Sequence, residues 1–254
     1  MLKKRVIPVL LLRDGRMVKG KRFSDYRDTG SPQTAVRIYS AQDADELVLL
    51  DIQATTNGHR ALLDILHLAA EECFMPLTAG GGVTSLDNIR ELLLAGADKV
   101  LVNTATVTRP SLIKQAAESF GNQCIVAGID YRADDNGVPK VWIRSGHEPT
   151  SLDPVDHARH LADLGAGEIL LNSIDRDGMM GGYDLKMADA VAHAVSVPVI
   201  ASGGAGNFMH LAEALSNTAV SAVACASLFH FGDNNPIRAR SYLRNQGIQM
   251  RNLK

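Results

Sequence analysis

The sequence predicts an α/β fold, a (β/α)8 TIM barrel with a two-fold internal repeat, and three observations predict it. Continuous apolar runs alternate eight times with helix-period stretches, as parallel strands buried on both faces require. The length, 254 residues, suits one such barrel over 1–254, and no linker divides it. Two glycine turns, TAGGG at Thr78 to Gly82 and ASGG at Ala201 to Gly204, each follow a proline-led strand and precede a helix. Pro76 and Pro198, Gly81 and Gly203, and Gly82 and Gly204 all lie 122 apart, as do Ala44 and Ala166, Glu46 and Glu168, Leu49 and Leu171, Ile52 and Ile174, and Ala97 and Ala219. Two halves at a fixed spacing, each with a phosphate-gripping turn, are the signature of a duplicated unit.

Taken in order, the first apolar run, 5–12, is a strand. Its basic lead resembles a signal peptide, but Val6 to Leu12 is short, has no small-residue cleavage site and runs into Arg13 and Asp14, so a buried strand is expected. Arg13 to Gly30 is long, charged and glycine-punctuated, and reads as a loop that is either a functional lid or disordered. Its Lys19 is either solvated or a clamp on phosphate or substrate. A helix near 32–43 leads to a strand near 46–52, a helix near 59–73 to a strand near 75–79, and a helix near 85–95, closed by Gly96, to a strand near 99–103. A helix near 110–120 precedes CIVAGID, a strand near 124–130. Tyr131 to Pro149 carries DDNG followed by KVWI, a small hairpin in which Trp142 packs. Helices near 151–164, 184–195, 207–216 and 236–246 then alternate with strands near 168–173, 197–202 and 220–226.

Composition bounds the function. At 46% hydrophobic and 21% charged residues the chain buries a large core. Net charge is −2 with scattered basic residues, which favours neither nucleic acid nor a membrane surface. No stretch approaches the roughly 18 apolar residues of a membrane span. Cys73, Cys124 and Cys225 are odd in number and lack CxxC or His spacing, which points to a reducing cytoplasm and to no metal, disulfide or cofactor.

A barrel of this kind carries chemistry on the loops after its strands. Asp51, Asn103, Asp130 and NSIDRDG (Asn172 to Gly178) are polar residues at such strand ends. Asp130 closes an apolar strand, where desolvation raises a carboxyl toward acid/base use; its other reading is a cap on loop backbone. Asp177 and Gly178 precede Gly181 and Gly182 and can hold a ligand hydroxyl or phosphate. At the opposite, strand-start face stand Arg5, Glu46, Lys99 and Glu168. Two cations and two anions converging on the axis form a charge-balanced ring, either a structural plug or a gate over an axial passage.

The segments IPVLLLRDGRMVKG, DADELVLLDI, LTAGGGV, GADKVLVNTA, AGID, GAGEILLNSIDRDG, GYD, VPVIASGGAG and ASLFHFG resemble, in order from Met1 to about Gly232, the cyclase subunit of imidazole glycerol phosphate synthase (HisF). The resemblance implies a barrel that draws ammonia along its axis from a HisH-like glutaminase. At the mouth that ammonia meets a ribotide with a phosphate at each end, and histidine biosynthesis gains its imidazole ring. It implies phosphate contacts at Gly82, Asn103 and Thr104 on one side, and at Asp177, Gly178, Gly204, Ala226 and Ser227 on the other. It also implies an ammonia gate of Arg5, Glu46, Lys99 and Glu168, partner contacts at Asp45 and Asp98, and a mobile-loop lysine at Lys19.

One departure cuts across these agreements. The family pairs two acid/base aspartates across the barrel; Asp130 matches one, while Leu11 occupies the position of the other. Asn172 stands where the cyclases carry threonine, Met179 and Met180 where they carry Thr-Lys, and Leu101 where a serine lines the ammonia route. Leucine after IP-x-L, with NSIDRDG, resembles a side branch associated with surface-polysaccharide (lipopolysaccharide, O-antigen) synthesis, in which the barrel relays ammonia to an amide-forming sugar ligase. The related phosphoribosyl isomerase barrels need two opposed carboxylates and lack the four-residue gate.

Overall fold

A computed structural model describes residues 3–53, 56–230 and 233–251, with the side chains of 56–58 excepted; Phe231 and Gly232 of the last quoted motif lie outside it. The strands are β1 (Arg5–Arg13), β2 (Arg16–Lys21), β3 (Ser24–Gly30), β4 (Leu47–Asp51), β5 (Leu77–Gly80), β6 (Lys99–Val102), β7 (Ile125–Ala133), β8 (Pro139–Ile143), β9 (Glu148–Pro149), β10 (Glu168–Ser173), β11 (Val199–Ser202) and β12 (Ala222–Cys225). The helices are α1 (Pro32–Ala41), α2 (Thr56–Glu72), α3 (Leu86–Leu94), α4 (Thr104–Thr108), α5 (Ser111–Phe120), α6 (Pro154–Asp163), α7 (Leu185–Ala194), α8 (Phe208–Asn217), α9 (Ser227–His230) and α10 (Pro236–Asn245).

Eight parallel strands close into a barrel in the order β1-β4-β5-β6-β7-β10-β11-β12, with β12 pairing back to β1. The expected strands and helices all form, within a few residues of the expected bounds. Helix starts are fixed by side chains that accept orphaned backbone N–H groups: Ser31 takes that of Thr34, Ser85 that of Asn88, Asp153 that of Asp156 and Asn235 that of Arg238.

Strand alternation sorts the apolar side chains into two shells. Val6, Leu10, Leu47, Leu49, Val100, Ile125 and Ile169 point outward and are buried under the helices. Ile7, Val9, Val48, Leu101, Val126, Leu170, Ile200, Ala222 and Ala224 fill the barrel interior. Among the described residues no helix is long and apolar enough to cross a membrane.

Arg13 to Gly30 is not a loop. β2 pairs antiparallel with β1 and with β3, so the segment is a folded hairpin rising from the first barrel strand. Most of β3 is solvent-facing, which removes the apolar alternation by which a strand is recognised. The second insertion is the expected hairpin: β8 pairs with the extended end of β7, and the Arg132 guanidinium lies 5.1 Å from the centre of the Trp142 ring.

Candidate functional site

The loops at the strand ends enclose a cavity of about 620 Å³. Two similar clusters line it. In the first, β5 runs into Gly81 (φ 121°) and Gly82 (φ 64°), and Asn103 leads from β6 into the short helix α4 at Thr104. A Cβ on Gly81 would lie 2.2 Å from the Asp51 carbonyl oxygen, so the turn demands glycine for space as well as for its backbone angles. In the second, β11 runs into Gly203 (φ 88°) and Gly204 (φ 112°), and Ala226 leads from β12 into the short helix α9 at Ser227. A Cβ on Gly204 would lie 2.1 Å from the Gly182 carbonyl oxygen. Asp177 and Gly178 line the cavity with this cluster. Bare backbone beside a short helix start is suited to anions. The Ser227 hydroxyl is buried there with no partner among the described residues.

Between the clusters stands Asp130. Asn103 donates from Nδ2 to its Oδ2 at 3.0 Å, and Asn172 donates from Nδ2 to its Oδ1 at 3.1 Å. Burial pushes the carboxyl up to about 7, the two amide donors oppose that shift, and the negative charge of Asp177 adds to it. A carboxyl held near neutrality exchanges protons readily at physiological pH. The wall that would hold an opposing acid is apolar: Val9, Leu11, Leu50, Leu101 and Leu170 line the cavity. Asp14, exposed in the β1–β2 turn with φ 50°, is not among the lining residues. Asp51 is; its Oδ1 accepts the Gln53 N–H at 3.0 Å, while its Oδ2 is buried without a partner among the described residues.

The β2–β3 hairpin covers part of the mouth. Lys19, expected to be either solvated or a clamp, is 3% exposed, and its Nζ lies 2.7 Å from Asp177 Oδ1. The Arg22 N–H donates to the Asp177 carbonyl at 2.8 Å. A Cβ on Gly178 would lie 2.2 Å from the Gly20 carbonyl oxygen, so two glycines allow the hairpin to rest on the β10 loop. On its other side, Phe23 packs over Gly146. The sequence reading missed Tyr26, which the hairpin brings to the cavity wall. It also missed the partnership of Asn103 and Asn172 on Asp130, because residues 69 positions apart share no local pattern.

At the opposite end the four expected charges form a closed ring. Arg5 contacts Glu46 at 2.5 Å and also Glu168, while Lys99 contacts Glu46 at 3.0 Å and Glu168 at 2.9 Å. Each carboxylate thus takes arginine on one oxygen and lysine on the other. Burial disfavours the Arg5 charge, but Glu168 and Glu46 overcome it and raise its pKa above the ordinary value. Ile7, Val48, Val126, Ile200 and Ala222 separate this ring from the cavity floor. A second pocket, of about 380 Å³, opens beneath the ring beside Lys3, Gln123 and Arg251.

The two aspartates beside the ring differ. Asp98 is exposed and accepts the Leu77 N–H at 2.8 Å. Asp45 is turned inward: it is 3% exposed, accepts the Val6 N–H at 2.9 Å and pairs with Arg240 at 2.8 Å. Its carboxylate is therefore engaged within the fold.

A family model described as "Histidine biosynthesis protein" matches residues 5–235, more than nine-tenths of the chain.

Proposed function

The chain belongs to the histidine biosynthesis protein family, and we propose that it is the HisF-type subunit of a glutamine amidotransferase complex, similar to imidazole glycerol phosphate synthase. In this reading the cavity binds a ribotide with a phosphate at each end. One phosphate lies against Gly82, Asn103 and Thr104, and the other against Asp177, Gly178, Gly204, Ala226 and Ser227. The observation that carries the reading is the pair of glycine and short-helix clusters flanking one near-neutral carboxyl in a single cavity. A duplicated half-barrel, as the 122-residue spacing implies, accounts for two such clusters. Ammonia from a HisH-like glutaminase docked at the strand-start face, with Asp98 in contact, enters through the Arg5, Glu46, Lys99 and Glu168 ring. Asp130 handles protons at the ring-closing end, and Lys19 holds the hairpin over the ligand.

A second reading is favoured by Leu11. A leucine neither donates nor accepts a proton, and loss of a general acid/base costs about 10²–10⁴-fold in rate. A barrel that keeps its grips and gate while lacking one carboxylate suits a subunit that activates the glutaminase and relays ammonia to a sugar-amidating ligase in surface-polysaccharide synthesis. The phosphoribosyl isomerase reading is weaker, because it needs the carboxylate that Leu11 replaces.

The test is to give the purified chain the ribotide with excess ammonium at alkaline pH, so that no glutaminase is required. Binding with turnover about a hundredfold or more below that of a two-carboxylate cyclase is expected. Ordinary turnover removes the relay reading, and no binding removes the ribotide.

A further inference from the structure

We propose that Tyr26 is a ligand-contacting residue: the hairpin presents its phenol hydroxyl as a hydrogen-bond donor to a phosphate-ester oxygen held at the Gly178 and Gly204 end of the cavity. This rests on the phosphorylated-ligand reading above and assigns it a residue outside the positions implied by the resemblance.

Three observations set the Tyr26 ring beside that end of the cavity. Tyr26 lines the cavity with Asp130, Asp177, Gly178 and Gly204. Its ring lies on the bare backbone of Gly20, where a Cβ would stand 3.0 Å from Tyr26 Cδ1. Gly20 in turn rests on Gly178, through the close approach described above. Ring, Gly20 and Gly178 therefore form one chain of contacts, which sets the ring on the side of the second anion cluster while Lys19 and Asp177 hold the hairpin.

The charges around the phenol say what it can do. Asp177 and Asp130 face it from β10's loop and β7, Arg13 faces it from β1, and Lys19 pairs with Asp177 from β2. Burial first, then Asp177 and Asp130, push the phenol up to about 12, with Arg13 opposing. It keeps its proton at neutral pH and is a donor. Ionised carboxylates are acceptors and repel a phosphate, and the Lys19 ammonium is already shared with Asp177. A neutral donor at this point supplies what an anionic oxygen requires without adding a charge that must be desolvated.

Tyr26→Phe removes the hydroxyl and leaves the ring on Gly20. Binding is measured by calorimetric titration with the bis-phosphorylated ribotide and, separately, with inorganic phosphate, together with the melting midpoint of the unliganded protein. The expected result is ribotide affinity lowered about tenfold or more, phosphate affinity lowered in the same sense and an unchanged midpoint. Equal affinity of parent and variant in both titrations overturns the assignment while leaving the ribotide reading intact. A parent that binds phosphate in a Tyr26-dependent way but not the ribotide sinks the ribotide reading alone. Binding of neither probe by the parent sinks both, and a lowered midpoint accompanying the affinity loss makes Tyr26 a packing residue and overturns the proposal.

Discussion

Asp130→Asn is expected to stabilise the protein, and to do so only where the carboxyl would be charged. The folded-state value, about 7, lies above the ordinary 3.8 because burial disfavours the anion. The sign follows from that order. Whatever this group contributes to stability is fully present below 3.8 and is lost as pH rises through about 7. The whole interval, roughly 3 pH units at ~1.4 kcal/mol each, bounds the cost of holding the anion at about 4 kcal/mol. Between pH 5 and pH 8 the part still to be lost is about 2.5 kcal/mol. Asparagine never ionises, but it turns one amide donor toward Asn103 or Asn172, which costs about 1 kcal/mol at either pH. Urea unfolding at the two pH values reads the difference directly. The variant should gain about 2.5 kcal/mol on the parent between pH 5 and pH 8, with the slope m unchanged. A gap between variant and parent that is the same at both pH values would refute a desolvated carboxyl at this site.

Three further variants test the same geometry. Leu11→Asp should recover about tenfold or more of ammonium-dependent turnover of the ribotide, because it restores a second proton carrier to the cavity; no recovery would mean that the missing carboxylate is not what limits the reaction. Lys99→Ala leaves Glu46 and Glu168, 5% and 7% exposed, sharing Arg5 alone, and should cost about 3–5 kcal/mol in urea unfolding. With the glutaminase partner present, the same variant should hydrolyse glutamine without delivering ammonia; intact delivery would make the ring structural only. Gly178→Ala meets both a positive φ of 70° and the Gly20 carbonyl, so limited proteolysis should cut 13–30 faster than in the parent. Equal cutting would show that the hairpin does not depend on that contact.

Elements set by a strong local period were legible in the sequence. The barrel strands are continuous apolar runs because both faces are buried, and the helices carry a regular apolar stripe. The ring was legible because a charge at the start of an apolar strand is rare, and four of them converge on one axis. What escaped was set by tertiary contact. The β2–β3 hairpin is polar along most of β3, so it reads as loop, yet it is ordered by Lys19 on Asp177 and by glycine meeting glycine. The helices α4 and α9 are too short to show a period. Asp45 matches a family position, but Arg240, 195 residues away, decides which way it faces. Asn172 read as a departure from the family and emerged as one of two groups that hold Asp130.

The two ends of the barrel handle buried polarity in opposite ways. In the ring every charged oxygen contacts a cation, and opening it breaks ion pairs that are costly to expose singly. At the mouth, Asp51 Oδ2, Asp177 Oδ2 and the Ser227 hydroxyl are buried without partners among the described residues, and all three residues line one cavity. Each unmade hydrogen bond costs about 1–3 kcal/mol, so three in one place are retained at a sustained cost to stability. Unsatisfied polar atoms of this kind collect at functional ends of a fold, where stability is given up for a site. Cavity and grips therefore argue for ligand binding whichever proposed role is correct. Leu11 bears only on what happens to the ligand after it binds. That separates affinity from turnover, and it is why a protein that binds the ribotide tightly and converts it slowly would favour the relay reading rather than count against the site.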